Sequence, residues 1–257
     1  MDIYTNQDIL QIAMRQSALD INCNSADFLA TENIVVQSEV GPLAKKYYKE
    51  PIACNFVSYG NNIVASVRNE YRTIVEEYIG KVEFFRCFET PYIHWLDSRI
   101  SETGQKVCYM GEYFLPDMKK LKRLPCNYET KILEHKDFAN LYLPEWSNAL
   151  CEKRKELDVL GMGAYDGDKL IGLAGCSADC ESMWQIGVDV LPEYRRQGIA
   201  SSLTGNLAVE VLERGKVPFY SCAWSNIRSF KNALKSGFVP AWVEMTVKPK
   251  ELVEEMI

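Results

Sequence analysis

The stretch from Met183 to Leu212 constrains this chain more than any other. Met183–Val190 is an apolar run with the Trp, Ile and Val content of a strand. Leu191-Pro-Glu-Tyr-Arg-Arg-Gln-Gly-Ile-Ala200 follows, with the proline, charges and glycine of a tight turn. Residues 201–212 then read as a helix. A chain that runs strand, short turn, helix gathers unpaired backbone N–H groups at one point, and the helix dipole adds partial positive charge there. Gly198 lets backbone come close, and Arg195 and Arg196 supply full charges. Such a turn is a cradle for an anion, and a diphosphate is its natural guest.

A second passage supports the first. Residues 217–224 read as a strand, Asn226 follows, and residues 229–236 read as a short helix closed by Gly237-Phe238. Together the two passages resemble the GNAT superfamily of acyl-CoA-dependent N-acyltransferases, whose loop pattern is Gln/Arg-x-x-Gly-x-Gly/Ala; here Arg195-Arg196-Gln197-Gly198-Ile199-Ala200 stands in that place. The resemblance implies that Arg195, Arg196, Gln197, Gly198, Ile199, Ala200 and Ser201 hold the pyrophosphate of acetyl-CoA, the co-substrate. It implies a bulged strand in which Val188 and Val190 pair with the pantetheine arm and the backbone near Val188 serves the oxyanion. Asn226 and Ser229 belong to the opposite wall of the cofactor cleft.

Composition narrows the partners. The net charge of −6 argues against nucleic acid, which calls for a basic face. The N-terminus, Met1-Asp-Ile-Tyr-Thr-Asn-Gln-Asp, lacks a basic stretch followed by an apolar one, and no apolar run approaches the roughly 20 residues that span a bilayer. A cytoplasmic protein without membrane contact is expected, its nine cysteines reduced. Cys176 and Cys180 lack a second Cys/His pair at ligand spacing, so no metal is expected.

The order of elements from 127 to 249 is strand (129–133), helical segments (138–155, broken at Pro144), a hairpin about Asp166-Gly-Asp-Lys169, the cradle unit, the second strand–helix unit and a last strand (240–247). This is the GNAT order. The fold class is therefore α/β (α+β): a mixed, mostly antiparallel sheet flanked by helices. A smaller α/β domain over 1–126, read as a degenerate GNAT-like half by analogy, precedes a catalytic domain over 127–257. In the first half the pattern predicts a helix over 8–19, strands over 52–59 and 63–67, a helix over 70–79, and strands over 82–88 and 105–115. The basic run 118–125 reads as a solvated linker.

Acyl transfer needs a neutral amine, a donor for the oxyanion and a proton for the leaving thiolate. The resemblance would place a Glu or His base at Trp184 or Ile186 and a Tyr acid at Ala233, and none of these can move a proton. Tyr220 and Asp189 are the catalytic candidates, because they sit on the two cleft strands; Glu181, Glu145 and Asp158 are further carboxylates within reach of the argument. Glu145 and Trp146 are candidates for holding a cationic amine. The reading is an N-acetyltransferase that moves an acetyl group from acetyl-CoA to a primary amine, on a small molecule, by direct attack. The alternative is a non-catalytic acyl-CoA-binding or regulatory protein. A transferase using charged transfer RNA ranks last, because the chain is acidic and keeps a cradle.

Overall fold

The structure, a computed structural model, describes residues 4–256; the first three residues of the N-terminal segment read for a leader, and Ile257, lie outside the described residues. In chain order the elements are α1 (Asn6–Ile21), β1 (Ile34–Gln37), β2 (Cys54–Ser58), β3 (Val64–Val67), α2 (Arg72–Gly80), α3 (Thr90–Ser101), β4 (Gln105–Pro116), β5 (Glu129–Glu134), β6 (Asp158–Asp166), β7 (Lys169–Ser177), β8 (Met183–Val190), α4 (Ile199–Glu213), β9 (Val217–Ala223), α5 (Ile227–Lys235), β10 (Phe238–Pro249) and α6 (Lys250–Glu254). They divide into two compact units. The first holds the chain up to Ile12 and Phe114–Pro240; the second holds Ala13–Tyr113 and the chain from Ala241 onward. The boundary expected at 126/127 thus falls inside the first unit.

In the first unit the strand order is β9-β8-β7-β6-β5. β5, β6, β7 and β8 pair antiparallel, and β8 and β9 pair parallel. The hairpin about Asp166 and Lys169 forms as the Asp-Gly signal predicts, with Gly167 at φ 59°. α4 packs on one face of this sheet, and Ile199, Leu203, Leu207 and Val211 are buried within it. Gly172 on β7 makes room for it: a Cβ there would lie 2.9 Å from Ile199. Residues 120–124 are not a solvated linker. Leu121 is buried, Asn206 Oδ1 accepts from the Leu124 amide (2.7 Å), and Arg123 pairs with Glu210 (2.7 Å) and Glu213 (2.9 Å) of α4. Arg123 thus serves the acidic end of α4, while Lys120 pairs with Asp117 (3.4 Å).

The helical segments expected over 138–155 form no α-helix. His135–Phe138, Pro144–Trp146 and Glu152–Leu157 are short 3-10 turns. Pro144 and the capping tendency of Asn, Asp and Ser break the repeat, and the backbone finds partners in the sheet instead of along a helix.

In the second unit the order is β1-β3-β2-β10. β2 and β3 form the expected hairpin, β10 pairs antiparallel with β2, and β1 pairs parallel with β3. Cys54, Phe56, Ala65, Val67, Met245 and Val247 form an apolar core with Val75, Tyr78, Ile79, Leu96 and Ile100. The strand expected over 82–88 is a 3-10 turn, Phe84–Phe88, closed by the Arg86 amide on the Glu83 carbonyl (2.9 Å). Only Cys87 is buried there. A short apolar run has no periodicity to separate a strand from a turn that buries one side chain.

Candidate active site

The strand–turn–helix unit expected to hold the cradle forms at the expected residues. β8 ends at Val190, a 3-10 turn covers Pro192–Tyr194, and α4 starts at Ile199. Two residues turn the chain through left-handed backbone, Arg196 at φ 65° and Gly198 at φ 83°. Gly198 is the N-cap of α4, and no side chain caps that helix start, so its first-turn amides face the turn without a protein acceptor from a capping group. Arg195, Arg196, Gln197 and Gly198 are exposed, Ile199 is buried, and Ala200 and Ser201 are half-buried. The turn is braced from both sides. Arg195 Nε donates to the Val190 carbonyl (2.9 Å), and the Tyr128 hydroxyl donates to Gln197 Oε1 (2.8 Å). Tyr194 donates to Asp166 Oδ2 (2.9 Å) and lies edge-on to Tyr128, 5.8 Å between ring centres. An uncapped helix start with two exposed guanidiniums fits a pyrophosphate.

The bulge expected on β8 is absent from its pairing with β7. The register runs without a shift from Ser177↔Gln185 to Gly172↔Val190. A different irregularity is present: β8 pairs with β9 only from Met183↔Val217 to Ile186↔Tyr220, although the strands continue to Val190 and Ala223. The two strands part after Ile186 and Tyr220. Val188 and Val190, both half-buried, lie on the parted stretch, which ends at the cradle. An extended arm can be received against such a stretch by strand-like hydrogen bonds.

One face of the sheet carries a stripe of glycine. Gly161, Gly175 and Gly187 are register neighbours across β6, β7 and β8. A Cβ on Gly187 would lie 1.8 Å from the Asn148 carbonyl oxygen, and one on Gly175 would lie 2.1 Å from that of Ala149. The 148–149 backbone therefore lies flat on the strands. Asp189 fastens it: its carboxylate accepts from the Asn148 amide (2.8 Å), Asn148 Nδ2 (2.6 Å) and the Ala149 amide (3.0 Å). Trp146 is buried beside it with Leu133, Phe138, Ala149, Leu150 and Leu173, while Glu145 is exposed. The structure thus brings Asp189 to the loop of Glu145 and Trp146, and it places the indole in core packing.

On the other cleft strand Tyr220 is buried, and its hydroxyl is 2.7 Å from Ser229 Oγ. Burial raises its phenol above the ordinary tyrosine value, against hydrogen bonds from Ser229 and Asn232. Asn226 is the N-cap of α5, and its Oδ1 accepts from the Ser229 amide (3.2 Å). Ile186 and Ala233 are buried and Trp184 is half-buried. Asp158, at the start of β6, is buried, and burial pushes its carboxyl up to about 6 despite hydrogen bonds from the Cys151 amide and Tyr142.

The family model described as GNAT acetyltransferase matches residues 96–241, more than half of the chain. The chain belongs to this family. Among curated proteins no sequence relative matches. Solved structures that resemble this chain include a GNAT-family protein from Novosphingobium aromaticivorans (19% identity, 56% of this chain and 66% of that one, TM-score 0.42). A GNAT-family acetyltransferase from Colwellia psychrerythraea covers 95% of this chain and 97% of its own, at 15% identity and a TM-score of 0.44. An aminoglycoside N-acetyltransferase in complex with CoA covers 46% of this chain and 93% of its own, at 18% identity and a TM-score of 0.35. This chain spans about two thirds of the length of the Novosphingobium protein. The fold of the GNAT chain is mixed α/β, mostly antiparallel and flanked by helices, as expected. No group of three metal-ligating side chains stands together among the described residues, and none of their helices is long and apolar enough to cross a membrane.

Tyr128, Asn148 and the glycine stripe belong to the site without a motif of their own in the sequence. For Tyr128 the sequence carries no signal, since its partner is 69 residues away. The glycines carried a weak one: Gly161, Gly163, Gly172, Gly175 and Gly187 crowd three strands, and glycine inside strands marks close backbone approach.

Proposed function

We propose that the protein transfers an acetyl group from acetyl-CoA to a primary amine of a small molecule by direct attack. The observation that carries this is the parting of β8 and β9 after Ile186 and Tyr220, next to the uncapped start of α4. Pyrophosphate binds Arg195–Ser201, and the pantetheine arm follows the free stretch of β8 at Val188 and Val190. Asn226 and Ser229 line the α5 side. The amine nitrogen attacks the thioester carbon, the C–N bond forms and the C–S bond breaks. Tyr220, kept protonated by burial, gives the proton that the thiolate takes, and Ser229 orients it. Asp189 spends its acceptor capacity on residues 148 and 149, so its part is to fix the loop of Glu145 over the strand. With Trp184, Ile186 and Ala233 apolar, the amine loses its proton to water, and much of the acceleration comes from alignment of amine and thioester.

The test is release of free CoA thiol from acetyl-CoA across a panel of primary amines, with Tyr220→Phe beside the wild type. Turnover with at least one amine, reduced in Tyr220→Phe without loss of acetyl-CoA affinity, is the expected result. A second reading, non-catalytic acyl-CoA binding, is favoured by the apolar residues at the usual acid and base positions. Acetyl-CoA binding without thiol release from any amine would establish it instead.

A further inference from the structure

The second unit carries a polar layer that the transfer chemistry does not use. Alternation along β2, β3 and β10 places Asn55, Ser66, Glu244 and Thr246 on the face opposite the apolar core. That face is nevertheless buried: Asn55 is 2% exposed and Thr246 7%. Residues of α1 and of the 38–48 segment join this buried polar set. Asp20 pairs with Lys45 Nζ (3.1 Å) and accepts from Gln16 Nε2 (2.9 Å) and the Lys45 amide (2.8 Å). Burial opposes the Lys45 charge, but the Asp20 carboxylate holds the ammonium protonated well above the ordinary lysine value. Trp242 donates to Glu244 Oε1 (2.8 Å) and stacks on Tyr59 and Tyr113.

Two things are out of balance in this layer. Asn55 Oδ1 and Thr246 Oγ1, register partners on β2 and β10, are buried without a hydrogen-bond partner among the described residues. Buried polar atoms in native proteins are paired with protein, water or ligand. The layer also holds two buried carboxyl groups, Asp20 and Glu244, against one buried ammonium, Lys45. Beside Asn55 lies a cavity of about 10 Å³, lined by the buried Asp20, Ser38, Asn55 and Ser66 and by the exposed Glu39 and Glu50. That is room for one water-sized group.

We propose that this cavity seats the –NH3+ head of a primary ammonium compound against Asn55 Oδ1 and Asp20, with Glu39 and Glu50 at its mouth. Asn55 Oδ1 only accepts hydrogen bonds, so its partner must donate. An ammonium brings three donors on one heavy atom, and Ser38 and Ser66 hydroxyls can accept the others. Its charge answers Asp20 within the cavity, and the acidic mouth of Glu39 and Glu50 favours a cation over an anion. A water would meet the hydrogen bonds and leave the charge unbalanced. The site stands apart from the acetyl-CoA reading and does not depend on it.

The experiment is calorimetric titration of the full-length protein with n-butylammonium. Controls are n-butanol, which lacks the charge, and tetramethylammonium, which lacks the N–H donors. Saturable binding of n-butylammonium alone is expected. It should weaken at least tenfold in Asn55→Leu and severalfold in Glu50→Gln, with acetyl-CoA affinity unchanged in both. Glu50 is exposed, so its variant remains informative if Asn55→Leu fails to fold. Absence of saturable binding in the wild type, equal binding of either control, or affinity untouched by both substitutions would overturn the site and leave a buried water in its place. Loss of acetyl-CoA binding bears on the transfer reading alone.

Discussion

Gly187 leaves no space for a side chain, and Asp189 two residues on holds the same loop from the same face of β8. Gly187→Ala should lift residues 148–149 from the strand and destabilise the protein by about 1–3 kcal/mol, as overpacking does. Asp189→Ala removes three hydrogen bonds from residues 148 and 149: two backbone amides and the Asn148 side chain. Because both act on one contact, the double variant should lose less than the sum of the single losses, read from denaturant midpoints. At the cradle, Arg195→Ala removes a charge and the brace on the Val190 carbonyl. Hydrogen bonds to charged groups contribute about 1.5–3 kcal/mol, so acetyl-CoA affinity should fall by roughly 10- to 100-fold, with a shallower salt dependence by titration calorimetry. Asp158 gives a pH prediction. Its folded value, about 6, lies above the unfolded carboxylate value, so its favourable contribution is complete below about pH 4 and is lost as pH rises through 6. The loss amounts to about 2–3 kcal/mol at about 1.4 kcal/mol per unit. Asp158→Asn should flatten the stability profile between pH 4 and 6; a profile unchanged from wild type would remove Asp158 as its source.

Strand β1 shows how an element on the edge of a sheet is kept from pairing further. Its pairing to β3 is parallel, and the alternate carbonyls at Val35 and Gln37 are taken by side chains: Arg72 Nη2 donates to Val35 O (3.1 Å) and Asn22 Nδ2 to Gln37 O (3.1 Å). Edge strands left open are templates for another chain. The Arg72→Ala/Asn22→Ala double variant should self-associate in a concentration-dependent way by light scattering, while the wild type does not. β1 and α3 carry no legible signal, because residues 34–37 give four residues of strand with no alternation in burial and α3 mixes Tyr, His, Trp and Asp without a clean apolar stripe. The elements that were legible carry either a strong turn signal, as at Gly167, or a long apolar run, as in β8 and α4. Residues 138–155 depart from the helical pattern of their sequence for a physical reason. Their local preference is helical in part, but the flat glycine surface and Asp189 offered the backbone better partners than a helix would.

At the scale of the whole chain, binding of acetyl-CoA to the folded state should raise its stability by mass action, about 2.7 kcal/mol at a concentration 100 times the dissociation constant. Thermal melting with acetyl-CoA should show this in the wild type and much less of it in Arg195→Ala. The strand–turn–helix order, the Arg-x-x-Gly-x-Ala pattern and the Asn226 to Phe238 passage are all local, so the sequence alone determined the family and the place of the strand–turn–helix unit on which the acetyl-CoA proposal rests. Local order does not report which segments meet. The division of the chain, with residues after Pro240 grouped with Ala13–Tyr113, depends on β10 pairing with β2, nearly two hundred residues earlier. The same holds for the parting of β8 from β9, for the bonds of Asp189 to residues 148 and 149, and for the buried polar layer of Asn55, Thr246 and Lys45. Those depend on register and on contacts distant in sequence, and only the tertiary structure decided them, because a residue's partner fixes what its chemistry is free to do.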